Sequence, residues 1–196
     1  VGWRVVAQTD GWRPLRPVPH SLPADPDVFV GRSEALGTLD RLLEDGERLV
    51  AIHGIGGSGK TALATRFAWN GLGGWPGGVW FCDLSATKTA EGLAHAVLRS
   101  LDLPPGDEDP LLQAGVGLAW RDRCLVVLDA ADWLDERARA LLAAWVRHAP
   151  LAHFVLTAGE PVPGGTALAL GSLATEGAAL FAGRLATSRF DRALND

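Results

Sequence analysis

The chain has 196 residues, of which 47% are hydrophobic and 21% are charged, so it can bury one sizeable core but not two complete ones. Its net charge of −5 gives no sequence-wide basic field, and we expect neither nucleic acid nor a membrane as a partner of this domain. No run of 18 apolar residues occurs, and the two cysteines, Cys82 and Cys124, indicate no disulfide framework. We therefore expect a soluble chain of a reducing compartment, the cytoplasm.

The chain begins with a proline-rich segment, residues 1–27, that differs from the rest of the sequence. Its prolines are Pro14, Pro17, Pro19, Pro23 and Pro26. Proline cannot donate to a sheet ladder and favours turns, so this composition predicts an extended arm or linker with one short strand at Val5 and Val6. We expect the arm to join the following domain to other parts of a longer polypeptide.

Downstream of the arm, helical and strand patterns alternate. Leucines at helical spacing predict a first helix that Ser33 caps and Gly46 ends. Five short runs are apolar on both faces, as strands of a covered parallel sheet are; they are 48–53, 78–84, 124–129, 153–157 and 167–170. Further helices are predicted at 60–71, 89–101, 110–121, 134–148 and 175–187. This order predicts an α/β fold with a parallel five-stranded sheet flanked by helices.

The stretch "GIGGSGKT", between the first of these strands and the next helix, fits the phosphate-binding pattern G-x-x-x-x-G-K-[ST]. Its backbone amides and the helix dipole would attract an anion. Lys60 would contact the β- and γ-phosphates, and the Thr61 hydroxyl would bind magnesium. The predicted nucleotide-binding residues of the loop are Gly54, Gly56, Gly57, Ser58, Gly59, Lys60, Thr61 and Ala62. A chance match in a glycine-rich chain is the alternative, which the strand–loop–helix context disfavours.

A second stretch, "CLVVLDAADW", is a hydrophobic strand that ends in Asp129. A carboxylate at this place can hold magnesium through its water shell, as a Walker B aspartate does. An ordinary aspartate at a strand end is the alternative, but the preceding loop favours the metal role. Thr61 and Asp129 are therefore the predicted metal residues of a P-loop NTPase.

Five stretches follow one another in the order found in the STAND class of signal-transduction ATPases, whose nucleotide-binding domains are NB-ARC-like. They are "FVGRSEALGTLDRLL", "GIGGSGKTALA", "CLVVLDAAD", "HFVLTAGEP" and "LGSLATEGAALF". The chain resembles this class over residues 28–187, which implies a nucleotide-binding domain there and a truncated C-terminal region at 188–196. The resemblance also implies a sheet with the loop-bearing strand at its centre. Flanking domains of the same longer chain are the implied partners, with self-association on activation.

By the same resemblance, the "FVGR" block lies near the adenine and ribose of ATP or ADP. The residues concerned are Val28, Phe29, Val30, Gly31 and Arg32. The glutamate that usually follows the arginine is shifted by one place, because Ser33 precedes Glu34.

Two departures from the class affect the same phosphate. Ala130 follows Asp129, where the class has an acidic or amide residue that positions water, and the next carboxylate belongs to Asp132. After the later strand, the chain reads Thr157, Ala158, Gly159, and Gly159 stands where the class has an arginine toward the γ-phosphate. We therefore predict that the domain binds ATP or ADP with Mg²⁺ and hydrolyses slowly, with Lys60, Asp129 and Asp132 as the candidate catalytic residues.

These patterns favour a regulatory switch, in which the bound nucleotide shifts the arrangement of flanking domains. An active ATPase or a small-molecule kinase uses the same loop, but no arginine-rich lid is visible. A GTPase would carry an N-K-x-D motif on a late strand, and none occurs in the sequence. A scaffold without nucleotide is disfavoured because Lys60 and Thr61 are intact.

Overall fold

Two short strands near the start of the chain, β1 (Val5–Gln8) and β2 (Gly11–Pro14), pair in antiparallel register. The predicted strand at Val5 and Val6 therefore belongs to a two-stranded ladder. The computed structural model describes residues 5–8, 11–14, 18–25, 29, 31–104 and 106–171. The predicted helix at 175–187 and the region 188–196 lie outside the described residues.

A parallel five-stranded sheet forms the centre of the fold, as the apolar runs predict. Its strands are β3 (Leu49–His53), β4 (Val79–Asp83), β5 (Cys124–Asp129), β6 (Ala152–Ala158) and β7 (Thr166–Ala169). The spatial order is β4-β5-β6-β3-β7. Because all five strands are parallel, their carboxyl ends meet at one edge, where the loop after β3 also lies.

The loop-bearing strand is not at the centre of this sheet, so that expectation is wrong. The strand β3 lies between β6 and β7, and β6 occupies the central place. The reason is the short connection 159–165, after which β7 pairs directly with β3 and leaves only one strand outside it.

Helices cover both faces of the sheet. They are α1 (Ser33–Glu44), α2 (Lys60–Asn70), α3 (Ala90–Ser100), α4 (Pro110–Ala119) and α5 (Glu136–His148). Side chains alternate along each strand, so that Val50 and Ile52 face α1 and α2 while Ala51 faces the layer of α3, α4 and α5. Two buried cores result, one on each face. Within the part of the chain that the structure describes, no helix is long and apolar enough to cross a membrane.

The helix starts follow local chemistry. Thr89, Asp109 and Asp135 cap α3, α4 and α5, and each side chain accepts a hydrogen bond from a backbone amide of the first turn. Ser33 is instead the first residue of α1, and the preceding Arg32 has no capping bond, so the predicted Ser33 cap is wrong. The α2 helix also begins without a capping side chain.

The segment 18–25 of the predicted arm follows the outer side of β4. Val79 donates to the Pro19 carbonyl oxygen at 3.0 Å and accepts from the Ser21 amide at 3.0 Å, and the Phe81 amide donates to Ser21 Oγ at 2.9 Å. Trp69 of α2 donates through Nε1 to the Pro23 carbonyl oxygen at 3.0 Å. These residues therefore pack against the five-stranded sheet, at its β4 edge and on α2.

Candidate functional site

The loop between β3 and α2, residues 54–59, lies at the carboxyl edge of the sheet. Gly57 and Gly59 have φ values of 76° and 89°, in the left-handed region that glycine enters without steric cost. The first turn of α2 contains no acidic residue and its start has no capping side chain. The first amides of α2 and the positive end of its dipole therefore face the loop without an anion supplied by that turn.

Gly54 stands where β3 ends, against the backbone that follows β7. The Leu170 amide donates to the His53 carbonyl oxygen at 2.7 Å and holds the two segments together. A Cβ atom on Gly54 would overlap the carbonyl oxygen of Leu170 and lie 3.4 Å from Oγ of Ser58. The first glycine of the motif is thus required by a close backbone approach.

Gly54→Ala is expected to destabilise the fold by about 1–3 kcal/mol, because the backbone has to shift to relieve this overlap. For a domain of this size, the melting temperature should fall by roughly 2–12 °C. Gly56→Ala is the matched control, since a Cβ atom there meets no atom within 4 Å. Thermal unfolding without nucleotide measures both variants, and equal melting temperatures would contradict the packing argument.

The Lys60 side chain folds back over the loop that precedes it. Nζ donates to the carbonyl oxygens of Gly54 at 2.8 Å and Ile55 at 3.0 Å. Among the described residues, no carboxylate forms an ion pair with this ammonium group. Hydrogen bonds between two charged groups are the stronger kind, so an anion in the loop would compete well with these two neutral carbonyl groups.

Three side-chain oxygens meet beside the loop. Thr61 Oγ1 donates to Asp129 Oδ1 at 2.7 Å, and Thr157 Oγ1 donates to the same oxygen at 2.6 Å. Thr157 Oγ1 also accepts from the Ala130 amide at 3.0 Å. The sequence motifs predict Thr61 and Asp129 as neighbours, and the structure brings them together. They do not predict Thr157 as a member of this cluster, since a threonine near the end of a buried strand is common.

Slow hydrolysis was predicted from Ala130, which lies in the turn after β5, and from Gly159, which follows β6. Ala130 has φ of 58°, a left-handed conformation that is unusual for alanine. Asp132 is exposed and accepts a short hydrogen bond from the Gly159 amide through Oδ1. A Cβ atom on Gly159 would lie 3.0 Å from the same oxygen. The carboxylate therefore covers the position at which the resemblance expects an arginine side chain.

The segment before α1 is described in part. Val28 and Val30 lie outside the described residues. Phe29 packs against α2, where the Arg66 guanidinium carbon lies 5.4 Å from the centre of its ring. Arg66 also pairs with Asp25 at 3.0 Å. These contacts place Phe29 beside α2, the helix that follows the loop.

Arg32 joins three parts of the site. Gly31 and Arg32 both have left-handed backbone conformations, with φ of 72° and 63°. The Arg32 Nη2 atom donates to the carbonyl oxygen of Ser58 in the loop at 3.1 Å and to that of Gly171 after β7 at 2.6 Å. The guanidinium group thereby links the start of α1 to the loop and to the end of β7.

A groove of about 290 Å³ lies next to Arg32, between the first turns of α1 and strand β7. Its lining residues are Arg32, Glu34, Ala35, Thr38, Leu168, Ala169 and Leu170. This volume is at the lower end of the range for small-molecule sites. The lining combines apolar side chains of the strand with polar groups from the helix.

Three other ionisable side chains on β4 and β5 have shifted pKa values. The Ser85 amide donates to the carboxylate of Asp83 at 2.9 Å and lowers its pKa, so this group is anionic at neutral pH. Burial raises the pKa of Cys82 to about 12 and that of Cys124 to about 11, which keeps both thiols protonated. Within the described residues, no cluster of three or more His, Cys, Asp or Glu could hold a metal ion.

The chain resembles known proteins in sequence and in fold. No family model matches it. Uncharacterized proteins of Mycobacterium tuberculosis and Mycobacterium bovis are each 29% identical to it over 158 residues. The match covers 78% of this chain and 40% of each relative, so the chain spans less than half the length of the curated relatives it matches.

Two solved structures define the class of fold. Cdc6p of Pyrobaculum aerophilum superposes with a TM-score of 0.56 at 17% identity, over 75% of this chain and 47% of that chain. The ORC2 protein of Aeropyrum pernix, solved as ADPNP-ADP complexes, gives a TM-score of 0.51 at 21% identity, over 76% and 49% of the two chains. With the parallel sheet and the loop after β3, these similarities show a P-loop NTPase fold.

Proposed function

We propose that the domain binds an adenine nucleotide together with Mg²⁺. The observation that carries this proposal is the hydrogen bond between Thr61 and Asp129 beside the uncapped start of α2. Mg²⁺ prefers oxygen ligands, keeps several waters and is commonly held by one or two protein groups plus phosphate oxygens. Thr61 and Asp129 supply such oxygens, and the residues present therefore fit the ion.

The loop would hold the phosphates through its amides and through Lys60. Gly56, Gly57, Ser58 and Gly59 would contribute backbone N–H groups, as would the first turn of α2 with Ala62. When phosphate enters, Lys60 would exchange its two carbonyl partners for anionic oxygens, which form stronger hydrogen bonds. The loop residues thus act as one anion-binding unit.

The groove beside Arg32 is the proposed site of the base and ribose. It adjoins the loop, because Arg32 bonds to the Ser58 carbonyl oxygen. The resemblance to STAND ATPases places Val28, Phe29, Val30, Gly31 and Arg32 near adenine. The absence of an N-K-x-D motif from the sequence disfavours guanine.

The proposed role is that of a regulatory switch in a STAND-type signalling protein of the cytoplasm. The nucleotide-binding domain would span 28–187, preceded by the arm 1–27 and followed by a C-terminal region from 188. The relatives in Mycobacterium are longer than the match, which is consistent with flanking domains as partners. ATP and ADP would favour different arrangements of those domains, with self-association on activation. We propose no nucleic acid or membrane contact through this domain.

Binding of ADP or ATP with Mg²⁺ is expected to stabilise the fold. At a ligand concentration about 100 times Kd, linkage contributes roughly 2.7 kcal/mol, which should raise the melting temperature of nucleotide-free protein by about 5–10 °C. Thr61→Ala should lose mainly the Mg²⁺-dependent part of this shift, because it removes a hydroxyl ligand. Thr61→Ser keeps the hydroxyl group and is the matched control. No shift with either nucleotide, in protein shown to start without nucleotide, would refute the proposed function.

A further inference from the structure

The outer surface of α4 is apolar and exposed to solvent. Leu112, Val116 and Trp120 are spaced four residues apart and have exposed fractions of 67%, 52% and 85%. The opposite side of the helix is buried through Ala114 and Leu118. Residues 110–119 contain no charged side chain. An amphipathic surface helix shows charged or polar residues on its outer face, so these three side chains, the α4 stripe, need a different explanation.

Acidic residues precede the α4 stripe. Asp107 and Glu108 are exposed, and neither forms an ion pair with any described residue. Asp109 instead caps α4 through its side chain. The α4 stripe and these two carboxylates together form a surface that is apolar along the helix and negatively charged at its start.

A groove on the other side of the same helical layer has the complementary character. It holds about 210 Å³ between α5 and the connection that leads from β6 to β7. Its apolar floor includes Leu142, Val146 and Pro163, and its two charged residues are Arg139 and Arg147. Neither arginine forms an ion pair in the part of the chain that the structure describes. We call this region the α5 groove.

The two surfaces match in length as well as in chemistry. Arg139 and Arg147 are eight residues apart on α5, a distance of about 12 Å along a helix. Leu112 and Trp120 are separated by the same number of residues on α4, with Asp107 and Glu108 beyond the start of the stripe. The strongest contacts of protein interfaces are often made by tryptophan and arginine side chains in well-packed pockets. Trp120 in the α5 groove, with an arginine at each end, would be a contact of this kind.

The two surfaces cannot meet within one chain. The α4 helix packs against α5, with Trp145 of α5 donating through Nε1 toward the Leu111 carbonyl oxygen at 3.4 Å. A Cβ atom on Gly115 would lie 3.1 Å from the same Trp145 ring. The α4 stripe lies on the outside of this pair and the α5 groove on another face of α5, so the surfaces point in different directions.

We propose that the α4 stripe of one copy docks into the α5 groove of a second copy. The contact is head-to-tail, because different surfaces of the two copies meet, and it therefore leaves one stripe and one groove open for further copies. The apolar side chains supply the burial, and the carboxylates of Asp107 and Glu108, which both lie at the start of the stripe, meet the arginine at one end of the groove. This inference deepens the self-association of the proposed function, on which it rests, by naming the surfaces that meet. Its test uses no nucleotide, so its failure leaves the proposed nucleotide binding untouched.

The test uses the 196-residue chain without nucleotide in sedimentation velocity over a concentration series. The parent should associate with rising concentration. Trp120→Asp and the double variant Arg139→Glu/Arg147→Glu should each weaken association by roughly 30-fold or more, the effect of losing an aromatic or arginine hot spot. Arg137→Glu is the control on α5, since this exposed arginine pairs with Glu91 at 2.6 Å outside the groove. Trp120→Gln provides a second stripe variant without added charge.

Mixing the two defective variants decides the arrangement. Each retains one intact surface, so an equimolar mixture should form a dimer and nothing larger. A parent that stays monomeric up to its solubility limit would overturn the proposal, as would association that survives both changes. A symmetric stripe-to-stripe dimer would also overturn it, and would be seen as loss with Trp120→Asp, no effect of the groove variant, and a mixture in which the groove variant pairs only with itself. Unchanged circular dichroism and melting temperatures show that each variant is folded.

Discussion

Lys60→Ala is expected to remove most of the thermal stabilisation that ADP or ATP gives, while the nucleotide-free protein keeps nearly its parent melting temperature. Within the described residues, Nζ hydrogen-bonds to the carbonyl oxygens of Gly54 and Ile55 and to no core side chain, so its loss leaves the buried cores intact. Hydrogen bonds to charged groups contribute about 1.5–3 kcal/mol each. Losing one to phosphate weakens binding roughly 10- to 100-fold.

The effect on the melting temperature follows from linkage. At a ligand concentration about 100 times the parent's Kd, a 100-fold loss leaves ligand equal to Kd and only about 0.4 kcal/mol of stabilisation. Lys88→Ala is the matched control, because Lys88 is the other lysine of the sequence and is exposed outside the loop. The measurement is thermal unfolding with and without Mg²⁺ and each nucleotide. Equal shifts of the melting temperature for Lys60→Ala and the parent would contradict the assignment of the loop to the nucleotide site.

Turnover of ATP is expected to be slower than about one per minute at saturating ATP and Mg²⁺. Enzymes typically turn over at about 1–10³ per second, and a missing water-positioning group or charge donor costs on the order of 10²- to 10⁴-fold. Ala130 offers only a methyl group beside Asp129, and Gly159 offers no side chain at all. Both losses act on the transition state more than on binding.

Variants of the turn after β5 test this explanation. Ala130→Asn should raise turnover by about tenfold or more, because it supplies an amide that can orient water. Asparagine also tolerates the left-handed backbone found at this position. Asp132→Asn shows whether this carboxylate, which the Gly159 amide holds, contributes to the residual rate. Phosphate release is measured against Lys60→Ala to exclude contaminating ATPases. Brisk hydrolysis that depends on Lys60 and Asp132 in the parent would identify an active ATPase instead.

Local patterns predict the sheet well and the site in part. The strand Cys124–Asp129 has its predicted bounds, because a strand buried on both faces is read directly as an apolar run that ends at a charge. The motif likewise predicts the juxtaposition of Thr61 and Asp129. The place of Arg32 depends on contacts with residues 26 and 139 positions away in the sequence. No local pattern contains such contacts. The Ser33 cap was wrongly predicted, because α1 already includes Ser33 and the residue before it, Arg32, has a left-handed backbone without a capping bond.

The position of the loop-bearing strand shows a different limit. Its expected central place came from the resemblance alone, and hydrophobic periodicity indicates which residues form strands without giving their spatial order. The contribution of Thr157 was missed for a related reason. Its hydroxyl group reaches Asp129 only because β5 and β6 are neighbours in the sheet.

The contacts of segment 18–25 with β4 bear on how the domain can be isolated. The strand β4 is the last of the sheet on its side, and its outer backbone groups at Val79 and Phe81 are hydrogen-bonded by Pro19 and Ser21. A fragment that began at residue 28 would bare this edge, whose apolar sequence "VWFC" is suited to pairing with another chain. Aggregation of such a fragment would then result from the exposed edge of β4 and not from an unstable core. A fragment of this domain should therefore begin before residue 18.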